Sequence, residues 1–127
     1  MSTALSFVAP PPGLAPLVDF TLRPVEGAAG LFVLEAAADT GRRLFVLDAA
    51  VYLPHYQPVL SDEDVAALGL RGPEDAMVLV VANPGESGTT VNLMAPVVVN
   101  TATGSSAQVI LEGQDWPLRA ELAARSA

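Results

Sequence analysis

His55 is the single histidine of the chain, and it stands in the run Tyr52-Leu53-Pro54-His55-Tyr56. A serine-based triad would need it as the general base. No Gly-x-Ser-x-Gly elbow accompanies it, and Gly85-Glu86-Ser87-Gly88 reads as a polar hairpin loop. The imidazole is therefore expected to be a partly exposed group at a strand end. The chain has no cysteine, which removes disulfides, thiolate zinc sites and cysteine nucleophiles together. Asp62-Glu63-Asp64 lacks the alternating spacing of a calcium loop. Gly27-Ala28-Ala29-Gly30 lacks the lysine of a phosphate-binding loop, and no pair of carboxylates is singled out for glycoside hydrolysis. These residues predict a protein that is not an enzyme and uses no metal or cofactor.

What remains is charge and apolar surface. The formal net charge is −8, with 14 acidic and 6 basic residues. That field repels phosphate backbones and anionic headgroups, so neither direct nucleic-acid nor membrane binding is expected. It speeds encounters with a basic protein instead. The segment Met1–Leu14 carries no positive charge and is broken by Pro10-Pro11-Pro12, unlike a secretory signal. The apolar runs Ala76–Ala82 and Leu93–Val99 are far shorter than the roughly 20 residues that span a bilayer. A cytoplasmic location is the expectation.

Two segments stand out. In Val51–Tyr56, Pro54 ends an apolar run between two tyrosines. In Val91–Asn100, Pro96 interrupts a strand-like run, which forces an edge or a bulge. Asn92 and Asn100 flank that proline and can satisfy the backbone groups a bulge exposes.

The elements that must position these segments are short. A chain of 127 residues, 51% hydrophobic, predicts one domain over 1–127 with its own core. Its 21 Gly and Pro residues are spread through the chain. Between them, strands are expected near Leu17–Arg23, Leu31–Ala37, Arg43–Val51, Ala76–Ala82, Thr89–Met94, Val97–Thr101 and Gln108–Glu112. Turns are expected at Thr40-Gly41, Asn83-Pro84-Gly85 and Thr103-Gly104-Ser105. Met77–Ala82 is apolar at every position, as in a strand covered on both faces. One helix should begin at the N-cap Ser61, carry Asp62, Glu63 and Asp64 at its positive end and close at Gly69. A second short helix or arm is expected over Pro117–Ala127. The fold class is all-β, an antiparallel barrel-like or sandwich sheet with one or two short helices.

The nonapeptide Asn92-Leu93-Met94-Ala95-Pro96-Val97-Val98-Val99-Asn100 resembles the Asn-Leu-x-Ala-Pro signature of the flagellar assembly factor FliW family. Pro12-Gly13-Leu14, Phe32-Val33-Leu34, Tyr52-Leu53-Pro54-x-Tyr56 and Val109-Ile110-Leu111 support it in order. The resemblance runs from about Leu5 to about Leu122. The sequence departs from the family at Leu14 and His55, where Phe and Asp are common. The resemblance implies a cytoplasmic regulator that binds flagellin and, in a mutually exclusive way, the translational repressor CsrA, with no small-molecule substrate. On that basis Tyr56, Asn92, Leu93, Pro96, Val97 and Asn100 are expected to line or support a flagellin-binding groove. Asp62, Glu63, Asp64, Glu74 and Asp75 are expected to form an acidic CsrA-binding patch. The rival expectation is a β-rich ligand- or carbohydrate-binding module without catalysis. The chain has only seven aromatics, and Trp116 before Pro117 reads as a plug over one end of the sheet rather than a sugar platform.

Overall fold

A computed structural model describes residues 3–11, 14–39, 41–53, 56–85, 88–111 and 113–121. Among the described residues eight strands are present: β1 (Thr3–Phe7), β2 (Asp19–Pro24), β3 (Leu31–Ala36), β4 (Arg43–Asp48), β5 (Ala76–Gly85), β6 (Gly88–Asn100), β7 (Ser105–Gln108) and β8 (Ala120–Glu121). They follow the order β5-β4-β3-β2-β1-β7-β6-β8, and β5 also pairs with β6. That extra pairing closes seven strands into a barrel, with β8 appended to the outside edge of β6. All neighbours are antiparallel except β1 and β7, whose two-residue parallel seam matches Ser6 with Ser105 and Phe7 with Ser106. Closure leaves the ring without an open edge, which the expectation of a barrel-like antiparallel sheet required.

Alternation along the strands fills the barrel. Leu5, Phe7, Phe20, Leu22, Leu34, Val46, Leu79, Val81, Val97 and Val99 form one interior cluster. Phe7 and Phe20 meet edge to face at 5.1 Å. The intervening residues of β4, β5 and β6 form a second apolar layer on the outside. Leu47, Val80, Val91 and Leu93 pack there beneath Tyr52, Tyr56 and Trp116. Val98, Val109 and Leu111 pack beneath Leu68. β5 and β6 are thus covered on both faces, which is why Met77–Ala82 shows no polar alternation.

The covering elements are two short helices. Asp48 ends β4 and caps α1 (Ala49–Tyr52), its carboxylate accepting from the Ala50 N–H at 3.0 Å. The strand expected to continue to Val51 therefore stops three residues early, because an Asp side chain offers a helix start. α2 (Asp62–Leu68) has the expected caps: Ser61 Oγ accepts from Asp64 N at 3.1 Å, and Gly69 takes the left-handed conformation at φ 67°. A 3-10 turn (Pro73–Asp75) leads into β5.

Other boundaries differ from expectation. Thr89–Met94 and Val97–Thr101 are not two strands but the single β6, continuous through Pro96. Asn83-Pro84-Gly85 lies within β5, whose hairpin closes with Gly85 opposite Gly88. β7 ends at Gln108, and the residues after it follow β6 without joining the strand. Of the helix or arm expected over Pro117–Ala127, the described residues show no helix: the chain bends at Leu118 and Arg119 and enters β8, which pairs with Thr90 and Val91. The turn at Thr103-Gly104-Ser105 is as expected, with Gly104 at φ 83°. A Cβ at Gly104 would lie 2.9 Å from the Ala4 carbonyl oxygen, so glycine is required for β1 to approach. Pro12, Gly13, Thr40, Pro54, His55, Glu86, Ser87, Glu112 and residues 122–127, on which further expectations fell, lie outside the described residues.

Candidate functional site

Across the β5–β6 ladder Leu79 pairs with Val97 and Val81 with Asn92. Four residues, Leu93 to Pro96, therefore oppose the single residue Val80. A bulge of that size strips the strand of its ladder partners, and each freed group must find another. Asn92 Oδ1 accepts from the N–H of Met94 at 3.0 Å and of Ala95 at 3.1 Å. Leu93 N–H donates to the Pro117 carbonyl, and the Leu93 carbonyl accepts from the Tyr56 hydroxyl. The Met94 and Pro96 carbonyls accept from the N–H groups of Leu111 and Val109. The Ala95 carbonyl accepts from Gln108 Nε2 at 3.1 Å. Pro96 has no N–H to satisfy, so proline fits the one position where a donor would be wasted.

Asn100 does a comparable job at the far end of β6. It is buried, and its Nδ2 donates to the Leu68 carbonyl at 2.8 Å and the Gly69 carbonyl at 3.3 Å. Its Oδ1 accepts from Ala102 N–H. The C-terminal end of α2, whose last carbonyls have no partner within the helix, is thereby fixed to the barrel.

A largely apolar groove lies beside α2, the helix that Asn100 holds. Pro58, Leu60, Val65, Leu70, Ala76 and Val78, with Arg71 and Gly72 at one side, line a cavity of ≈ 430 Å³ between α2, the segment before it and the outer face of β5. A second cavity of ≈ 540 Å³ shares Pro58, Ala76 and Val78 with the first and adds Tyr56, Leu53 and Met77. The Tyr56 ring meets Trp116 edge to face at 4.7 Å. Burial pushes the Tyr56 phenol up to about 12 from 10.0, because a phenolate there would lose its hydration.

Of the residues expected at a groove, only Tyr56 reaches its wall. Leu93, Pro96, Val97 and Asn100 are buried, Val97 inside the barrel and Leu93 beneath Tyr56 and Trp116. They support the groove and do not line it, because the register of β6 turns each of them toward a packed layer. Asn92 is half-buried and occupied by the bulge. Pro58, Leu60 and Val65 line the groove instead. Its signal was the Pro-x-Leu alternation just before Ser61. Trp116 is half-buried against both outer clusters, covering the sheet as a plug does.

The acidic residues divide in two. Asp62, Glu63 and Glu74 are exposed. Asp64 takes a hydrogen bond from the Ser61 hydroxyl at 2.8 Å, and Asp75 Oδ2 accepts from Arg71 N–H at 3.0 Å. Among the described residues the two ion pairs are Arg23–Glu35 and Arg42–Asp39, so none of the five has a cationic partner there. The Glu74 carboxylate folds back over Gly72, within 2.7 Å of where a Cβ would stand, and Gly72 lines the groove. The rim there carries Glu74 beside Arg71, so both signs of charge meet at this side of the groove. Among the described residues no cluster of three His, Asp or Glu is placed to hold a metal ion, and no helix is long and apolar enough to cross a membrane.

A sequence model of the FliW protein family matches residues 1–122. The chain is 33% identical over 94 residues to the flagellar assembly factor FliW of Syntrophus aciditrophicus, a match taking in 72% of this chain and 60% of that protein. It is 32% identical over 111 residues to the flagellar assembly factor FliW of Thermotoga neapolitana, covering 85% and 74%. A crystal structure of the flagellar assembly factor FliW shares the fold, with a TM-score of 0.88 at 23% identity over 98% of this chain and 88% of that one.

Proposed function

The chain belongs to the FliW family, and from that premise we propose that it is a flagellar assembly factor that binds flagellin and antagonises CsrA by protein–protein binding in the cytoplasm. Bound CsrA is kept from flagellin messenger RNA. Accumulating flagellin displaces CsrA, and translation falls. The two partners exclude one another, so each weakens the other by the same factor. No reaction is catalysed, and neither nucleic acid nor membrane is bound directly.

The observation that carries this reading is the largely apolar groove beside α2, near acidic side chains that form no ion pair among the described residues. An amphipathic helical segment such as a flagellin terminus buries its apolar face in a groove of this kind. A basic RNA-binding protein is steered toward the same end of the molecule by Asp62, Glu63 and Glu74, with Asp64 and Asp75 holding local structure beneath. Tyr56 forms part of the wall, while Asn92, Leu93, Pro96, Val97 and Asn100 hold the wall in place.

The test is the triple variant Asp62→Lys, Glu63→Lys, Glu74→Lys. Each reversal adds two charges, moving the formal net charge from −8 to −2. CsrA association should slow by about tenfold at low ionic strength, and the gap should close as salt screens the field. Rates and salt slopes identical to the parent would refute the acidic patch. Failure of purified flagellin to compete with CsrA would refute the exclusion.

A further inference from the structure

The segment between Tyr56 and Ser61 has no strand partner, yet it forms one wall of the groove. It is extended: Pro58 and Leu60 face the groove, while Val59 between them is 68% exposed. An extended strap of this kind needs its backbone groups satisfied to stay in place. Gln114, 55 residues away, provides this at the strap's centre. Its Oε1 accepts from Val59 N–H at 3.0 Å, and its Nε2 donates to the Val59 carbonyl at 2.8 Å. A primary amide carries the same donor and acceptor as a peptide group, so one side chain replaces one rung of a strand ladder. The Trp116 indole N–H lies 3.3 Å from Gln114 Oε1. An indole only donates, which fixes the amide with its oxygen toward Trp116 and its nitrogen toward the Val59 carbonyl.

We infer that Gln114 is a positioning residue for partner binding: by clasping Val59 it sets which face of the strap is turned inward, so that Pro58 and Leu60 form the groove wall. The inference rests on the groove being the docking site proposed above. Gln114 itself touches Val59 and Trp116 and acts only through the strap.

Hydrogen exchange and flagellin binding, measured on the full chain, test it. In Gln114→Ala the Val59 amide should exchange about tenfold faster, the equivalent of one net hydrogen bond, while Val46 and Val97 amides inside the barrel keep their rates. Flagellin affinity should fall by about tenfold in step. Gln114→Glu keeps an acceptor for Val59 N–H and loses the donor, so it should fall between the two. The control Val46→Ala, a cavity in the barrel interior, should lower the melting temperature and leave affinity alone. An unchanged Val59 exchange rate overturns the inference. So does flagellin affinity within twofold of the parent once exchange has accelerated, or an affinity loss equalled by the control. If the parent chain does not bind flagellin, the functional reading fails by itself. The clasp is then judged on the Leu60 methyl resonances, which should move toward their unpacked positions in Gln114→Ala and overturn it if they do not.

Discussion

Replacing Asn92 with alanine separates a structural role for the signature segment from a contact role. The side chain holds two N–H groups, those of Met94 and Ala95, where β5 offers them no partner. Ala95 is buried at 6% exposure, so its stranded donor carries a desolvation cost of about 2 kcal/mol. Met94 is half-buried and water reaches it more easily, so about 1 kcal/mol is expected there. Together Asn92→Ala should lose about 3 kcal/mol. For a domain of this size each kcal/mol is worth about 4 °C, giving a fall in melting temperature of about 12 °C. Asn92→Asp is the paired control, because a carboxylate accepts both bonds, and it should recover to within about 1 kcal/mol of the parent. Urea and thermal unfolding read both variants. If Asn92→Ala unfolds within 0.5 kcal/mol of the parent (about the error of such work), the bulge does not depend on this side chain. If Asn92→Asp is as damaged as Asn92→Ala, the acceptor is not what matters.

Tyr56→Phe removes the donor to the Leu93 carbonyl and should cost about 1–2 kcal/mol at neutral pH. In the parent, the folded phenol titrates near 12 against 10.0 unfolded, so its contribution is full below pH 10 and is lost as pH rises toward 12. The urea midpoint of the parent should therefore drop more steeply between pH 10 and 12 than that of Tyr56→Phe, and parallel slopes would contradict the burial of that hydroxyl. Asn100→Ala breaks the bonds to Leu68, Gly69 and Ala102 in a buried site, for about 3 kcal/mol. Because two of those bonds hold α2, hydrogen exchange should quicken in α2 before it does in the barrel. Uniform acceleration would mean that Asn100 does not secure the helix selectively.

Much of the fold was legible from local chemistry. Ser61, the acids behind it and Gly69 determined α2, because a cap needs only residues within a turn of it. The run Met77–Ala82 announced a strand covered on both faces, since no strand with a wet face tolerates six apolar residues in a row. Pro96 between Asn92 and Asn100 announced a bulge, which Asn92 repairs, whereas Asn100 is taken up by Leu68, Gly69 and Ala102 and not by the bulge. The boundary at Asp48 is also legible, because its carboxylate caps a helix start against the apolar run that continues past it. Pro117 left a helix and an arm equally open, because a proline suits the first turn of a helix and a non-helical edge equally well.

The site was a different matter. The sequence by itself determined that a proline-bearing bulge exists in β6 and that acidic residues cluster at the start of α2. Only the tertiary structure decided which way those residues face. Strand register turns Leu93 and Val97 into different packed layers, and a shift of one residue would have sent each to the opposite face. The contacts that build the groove join Tyr56 to Leu93, Asn100 to Leu68 and Gln114 to Val59 across 37, 32 and 55 residues. No local period encodes such pairs. They arise because closing the barrel brings the ends of distant strands to one side of β5 and β6, where each unpaired backbone group must take whatever partner the fold delivers.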